Sequence, residues 1–194
     1  MMKESPPLTN ADCVQIETAT ADDARQFRSH EYEVWKDTYI NDKTGITQAD
    51  IDWFFYQYRK LLSPESVKKL ATELENVGDN EKVIIIKDGE IIIATAWLLK
   101  DEHMNELGSI YIKSDKQHLG IGQKIWNEAN DFFNRMNPIF VTVYEKNENA
   151  ITFYKKLGFR EVEKIPSEIH FPSGAEFPQI RMVKQPRTLT TASA

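Results

Sequence analysis

The chain has 194 residues, 41% of them apolar and 28% charged, with 24 Lys plus Arg against 30 Asp plus Glu and a net charge of -6. That length can bury one sizeable core, and the acidic balance argues against nucleic acid as the main partner. A single cysteine, Cys13, rules out a disulfide framework within the chain and points to a reducing compartment.

The opening MMKESPPLTN, residues 1–10, is polar and unpatterned and lacks the apolar core of a signal peptide. No later stretch is long enough to cross a bilayer, so the expected setting is cytoplasmic, with no membrane partner. CVQIETA, from Cys13, alternates as a strand does. From Asp22 a helical spacing gathers Ala24, Phe27, Glu31, Val34, Trp35 and Thr38 on one side. A second helical pattern begins near Thr47 and carries Ile46, Trp53, Phe54, Tyr58 and Leu61. Ser63-Pro64 reads as a cap followed by proline at the first helical position. Val67, Leu70, Ala71, Leu74 and Val77 then complete a third helix, stopped by Gly78.

The pattern changes at KVIIIK and EIIIATAWLL, which flank the hairpin signal Asp88-Gly89. ELGSIYIK, from Glu106 to Lys113, makes a third strand in this block. The next helix presents Ile121, Ile125, Ala129, Phe132, Phe133 and Met136 and ends at Pro138. PIFVTVYE is a strand, and a short helix covers Asn147 to Leu157. GFREVEKI and FPQIRMVK form a closing antiparallel pair across a loop from Pro166 to Pro178. The tail from Pro186 is again unpatterned, so one domain is expected over residues 11–185. The Glu106 and Phe140 strands are joined through a helix, which predicts a parallel pair inside an otherwise antiparallel sheet, an α+β fold.

Between the Glu106 strand and its following helix stands KQHLGIGQKIW, Lys116 to Trp126. A strand, a glycine-bearing loop and a helix start can hold a phosphate on free backbone N–H groups. On Gly120-x-Gly122 alone, a tight turn that needs glycine explains as much. The P-loop is excluded because Gln123 and Lys124 follow Gly122, and the dinucleotide fingerprint because Ile125 stands where a third small residue belongs.

Gln117-x-x-Gly120-x-Gly122, together with Asn147, Ala150, Phe153, Tyr154, Gly158 and Phe159, resembles the GCN5-related N-acetyltransferases (GNAT). That family's acetyl-CoA loop reads Arg/Gln-x-x-Gly-x-Gly/Ala, and its later motif Asn-x-x-Ala, Phe-Tyr, Gly-Phe. The resemblance spans roughly residues 80 to 185. It implies a GNAT-like acyl-CoA N-acyltransferase fold whose one parallel strand pair splays apart. It also implies acetyl-CoA as co-substrate, no metal, and an amine acceptor of the polyamine, small-amine or peptide kind. His118 and Leu119 depart from the family, which often has basic residues there; Lys113, Lys116 and Lys124 are the nearby replacements.

By the same resemblance, Gln117, His118, Leu119, Gly120, Ile121, Gly122 and Gln123 would hold the diphosphate of the donor. Ile110, Tyr111 and Ile112 would line its pantetheine arm, with backbone groups offered as in strand addition. Asn147 would reach the same arm, although its place also suits a helix N-cap. Tyr154 would protonate the leaving thiolate, although spacing alone makes it a core aromatic. An alkylamine of pKa about 10.4 must lose a proton before it attacks. Glu106 is the expected base, with a solvated strand-end carboxylate as the equal alternative, and Tyr111 and Glu145 are weaker candidates. Tyr39 and Trp35 would form an aromatic acceptor wall, a role that competes with ordinary helix packing.

His30, His103, His118 and His170 have no ligand spacing, and no nucleophile–base arrangement is visible, which favours direct transfer in a ternary complex. Two function classes remain: an N-acetyltransferase, and an acyl-CoA-binding sensor without turnover. A nucleic-acid-binding reading lacks a basic face. Strand edges make a homodimer a further expectation.

Overall fold

The computed structural model describes residues 14–186. The N-terminal tail expected over residues 1–10 and Cys13 lie outside them, as does the C-terminal tail beyond Pro186. Among the described residues, seven strands form one sheet in the order β1-β2-β3-β4-β5-β7-β6. They are β1 Ile16–Thr18, β2 Glu81–Asp88, β3 Ile91–Lys100, β4 Asn105–Ile112, β5 Ile139–Tyr144, β6 Arg160–Ile165 and β7 Gln179–Lys184. The helices are α1 Ala24–Tyr39, α2 Gln48–Asp52, α3 Pro64–Glu75, α4 Ile121–Phe132 and α5 Glu148–Lys156. Only β4 and β5 run parallel; every other neighbouring pair is antiparallel. The fold is the mixed α+β sheet that the sequence predicts.

Both sheet faces are covered, which is why β2 reads as an unbroken apolar run. Ile84 and Ile86 pack with Ile121 and Ile125 of α4 and Tyr154 of α5. Val83 and Ile85 pack the other way, with Phe27 of α1 and Leu70 of α3. A third cluster, rich in aromatics, lies at the α1 and α2 end, where Trp35, Tyr39, Phe54, Phe55, Tyr144 and Phe177 meet.

Local chemistry sets most of the boundaries. Ser63 caps α3 by accepting from the Ser66 N–H, and Pro64 is its first residue. The hairpin turn falls on Gly89-Glu90, one residue later than expected, because Asp88 still pairs with Ile91. The second helical pattern divides into α2 and a π-helical turn, Trp53–Tyr58, with the Arg59 N–H donating to the Phe54 carbonyl at 2.8 Å. The wider turn shifts the helical phase, so Phe55 is buried and Tyr58, expected on the apolar face, is exposed. On α1 the buried positions include His30 and Tyr39, while Thr38 turns partly outward. α4 stops at Phe132 and leaves Met136 exposed. The buried Asn105 side chain holds the next turn, accepting from the Asn134 N–H at 2.9 Å and donating to the Asn134 and Asn137 carbonyls.

Candidate functional site

β4 and β5 pair only over Asn105↔Ile139, Glu106↔Phe140 and Leu107↔Val141. At Gly108, β4 bulges against β3, where Trp97 lies opposite Ser109 and Leu98 opposite Leu107. From there on, β5 no longer pairs with β4. The Lys113 N–H donates to the Ile93 carbonyl at 3.0 Å, so Lys113 directs its backbone groups at β3. Alternate residues of a strand share a direction, so the backbone groups of Ile110 and Ile112 point into the gap. The Gln117 side chain donates to the Ile112 carbonyl at 3.2 Å.

The gap opens into a recess of about 140 Å³. Its walls include Gly108 to Tyr111 of β4, Val141 to Tyr144 of β5, Asn147, Ala150 and Tyr154 at α5, Trp35 and Tyr39 of α1, and Phe177. Six of the candidate site residues singled out in the sequence therefore line one recess: Trp35, Tyr39, Ile110, Tyr111, Asn147 and Tyr154. Glu106 is not among the walls. It is half-buried at the closed end, between Leu99 and Phe140. Leu107 joins the α4 side of the core, so Glu106 faces α1 and α3. The bulge shifts the alternation, and Tyr111 comes to face the same side.

The glycine loop lies at the open end. Gly120 caps α4 with φ 83°, a left-handed conformation that favours glycine. No side chain caps the helix, and its first internal bond runs from the Lys124 N–H to the Gly120 carbonyl. The N–H groups of Ile121, Gly122 and Gln123 are thus those a helix start leaves without an internal partner. Gly122 has a different reason. A Cβ there would stand 3.2 Å from the Phe153 ring and 3.6 Å from Ile112 Cδ1. Glycine at that position lets α4 and α5 touch. His118 also adopts a left-handed conformation, φ 62°, and is exposed, as expected for a loop residue; Leu119 is half-buried beside it. Two of the three lysines near the loop are already engaged: Lys116 with Asp88 at 2.8 Å, and Lys124 with the Val14 carbonyl at 3.1 Å.

Four phenols surround the recess. Burial, reinforced by nearby Tyr39, pushes the Tyr154 hydroxyl well above the usual phenol value, so it stays protonated at neutral pH. Burial also lifts Tyr39, to about 12, against a hydrogen bond from Asn147. Tyr111 is raised by burial and by Tyr39 and Glu31, and Tyr144 by burial and Glu145. Asn147 is the cap of α5, its Oδ1 accepting from the Ala150 N–H at 3.1 Å. His30 is buried beneath β4 with Nε2 3.2 Å from the Tyr111 carbonyl, and burial lowers its basicity. Glu31, partly buried, is pushed up by desolvation although Arg28 lies at 2.7 Å.

Sequence reasoning missed Tyr144 and Phe177. Tyr144 gave a signal, because it alternates with the core residues Val141 and Val143 and so must face the α1 side. Phe177 gave none, since it lies in the loop 166–178 between two prolines. The loop is anchored by the buried Asp50, whose Oδ1 accepts from the Ser173 N–H at 3.0 Å and whose Oδ2 accepts from the Thr47 N–H at 2.9 Å. Burial pushes the Asp50 carboxyl up, but the hydrogen bonds from Ser173 and Thr47 outweigh it and hold the group below the usual carboxylate value. Its contribution to stability is therefore present above the unfolded value near 4 and fades as pH falls through the lower folded one. Asp50→Ala is expected to cost about 1–3 kcal/mol in urea melts at pH 7. The difference from the parent should narrow below about pH 4; a difference that is flat with pH would mean that Asp50 carries no charge in the fold.

Residues 79–161 match the family model described as an acetyltransferase (GNAT) domain. The PaiA N-acetyltransferase of Thermoplasma acidophilum, solved in complex with coenzyme A, superposes with a TM-score of 0.64 at 19% identity, over 89% of this chain and 98% of that one. The ribosomal-protein-S5-alanine acetyltransferase of Vibrio fischeri gives 0.65 at 15% identity, over 90% and 94%. A spermidine N-acetyltransferase, SpeG, of Vibrio cholerae gives 0.61 at 18% identity, over 89% and 94%. At these identities the likeness is one of fold.

Proposed function

We propose, for a chain whose residues 79–161 match the GNAT acetyltransferase family model, that the recess between β4 and β5 serves the transfer of an acetyl group from acetyl-CoA to a primary amine. The observation that carries this reading is the split in the sheet, which turns the backbone groups of Ile110 and Ile112 away from β3 and sets Ile110 in one recess with a protonated phenol at Tyr154. A peptide-like pantetheine arm satisfies such an edge as an added strand would, taking the place of the Gln117 side chain on the Ile112 carbonyl. The amides of the Gln117 to Gln123 loop, at the start of α4, suit its diphosphate. The amine class draws on the neighbours, one named for spermidine and one for a ribosomal-protein alanine.

When bound, acetyl-CoA supplies an activated acyl carbon, whose C–S bond breaks as the C–N bond forms. Tyr154 holds a proton at its Oη for the departing sulfur. Trp35 and Tyr39 give the acceptor side an aromatic wall, which attracts an ammonium group before it is deprotonated. Glu106, on the same face of β4 as Tyr111, takes the amine proton through water. Glu106→Gln should lower kcat/KM for the amine by roughly a hundred-fold or more and leave acetyl-CoA affinity unchanged. Parent-like kcat/KM would remove Glu106 from the mechanism.

One observation favours the second reading, an acyl-CoA-binding module without turnover: no carboxylate or imidazole is among the named walls of the recess. Free-thiol detection separates the two, with acetyl-CoA offered alongside spermidine, n-butylamine and a peptide with N-terminal alanine. Thiol release that depends on an amine supports the enzyme. Acetyl-CoA binding without thiol release supports the module.

A further inference from the structure

We infer that Phe177 sets the size of the acceptor, and that the amine accepted is a primary amine carried on a slender, unbranched chain; this rests on the acetyl-transfer reading of the recess. Phe177 belongs to the loop between β6 and β7, outside the segment that matches the family model. It is nonetheless buried and forms a wall of the same recess as Tyr154.

The ring is held on several sides. It stacks on Tyr144 with centroids 4.2 Å apart and planes 5° apart, and on Trp35 at 5.2 Å and 10°. Tyr39 meets it edge-on at 5.0 Å and 88°. Trp35 in turn stacks on Phe54 at 4.6 Å and 15°. Four rings, Phe54, Trp35, Phe177 and Tyr144, therefore form one continuous column from the π-helical turn after α2 to β5. Stacked and edge-on aromatic pairs add to the stability that burial alone gives, so the wall resists displacement by a weak ligand. Its backbone is fixed as well. The Phe177 N–H donates to Ser167 Oγ at 2.7 Å, His170 and Glu176 form a bridge, and Ser173 is held by Asp50.

Volume decides what such a wall admits. A cavity of roughly 150 Å³ is filled by a single benzene molecule. The recess offers about 140 Å³, and it must hold the acetyl group and the amine end of the acceptor together. A methylene chain fits beside an acetyl group in that space. An aromatic ring attached next to the amine does not, unless Phe177 gives way. The rest of a long acceptor can extend out of the mouth, so the limit applies to the atoms nearest the nitrogen.

The test compares kcat/KM for n-butylamine and benzylamine at saturating acetyl-CoA, by thiol release, in the parent and in Phe177→Leu and Phe177→Ala. The parent should favour n-butylamine by about ten-fold or more, the scale at which a pocket rejects excess bulk. Both variants should narrow that ratio, with the KM for acetyl-CoA unchanged. Phe177→Leu keeps most of the apolar volume in case the alanine variant does not fold, and the parent's own ratio needs no variant. Equal use of the two amines by the parent would overturn the inference, as would a folded variant with the parent's ratio. Acetyl-CoA binding with no thiol release from any amine would instead overturn the acetyl-transfer reading, and this inference with it.

Discussion

Tyr154→Phe is expected to lower turnover with a primary amine by roughly ten- to ten-thousand-fold, the range of a general acid, while acetyl-CoA binds nearly as before. The substitution keeps the ring, and with it the edge contacts to Phe153 at 5.3 Å and Phe159 at 5.5 Å. Only the hydroxyl is lost. That hydroxyl carries its proton throughout the neutral range because burial disfavours the phenolate. A thiolate leaving an acyl carbon next to it gains a donor at the moment its charge develops. The effect should therefore fall on kcat, and calorimetry with acetyl-CoA should show little change. Unchanged kcat would make Tyr154 a core aromatic, the role its position on the α5 face already explains.

Gly122→Val is expected to damage both the fold and the donor site. The added Cβ would lie 3.2 Å from the Phe153 ring, tighter than most packed contacts, so the ring must give way, and valine, stiff at χ1, adds two methyl groups there. Overpacking of this kind costs about 1–3 kcal/mol. Phe153 directly precedes Tyr154, so a shift of α5 away from α4 carries the phenol with it. It also moves the amides of Ile121 to Gln123 relative to the Ile110 and Ile112 edge. Urea melts should report the lost stability, and acetyl-CoA affinity should fall alongside it. Parent-like stability would show that the two helices can part without cost; parent-like affinity would separate the loop from the donor site.

The sequence carried the element order, the parallel pair and the glycine loop, because each has a short-range signature: alternation, a crossover through a helix, a helix start. It also brought Tyr39, Trp35, Asn147 and Tyr154 to notice individually. What it could not carry was the meaning of Gly122, whose neighbour Phe153 lies on another helix. The bulge at Gly108 was equally hidden, and without it Glu106 and Tyr111 would be assigned to opposite faces of the strand. The π-helical turn at Trp53–Tyr58 defeated a reading based on a period of 3.6, which exchanged Phe55 for Tyr58. Phe177 has no local pattern at all; its place is fixed by stacking partners from α1 and β5 and by a loop tied down through Asp50. The lysines invoked near the loop could be counted from sequence, but not their engagement with Asp88 and Val14.

The central claim is that the open edge of β4 and the start of α4 grip one extended ligand. A crystal structure with coenzyme A tests it most directly. The account predicts the pantetheine arm between β4 and β5, hydrogen-bonded to the backbone of Ile110 and Ile112, with the Gln117 side chain displaced from the Ile112 carbonyl and the diphosphate on the amides of the Gly120–Gln123 turn. Coenzyme A bound elsewhere, with Gln117 still seated on that carbonyl, would contradict it.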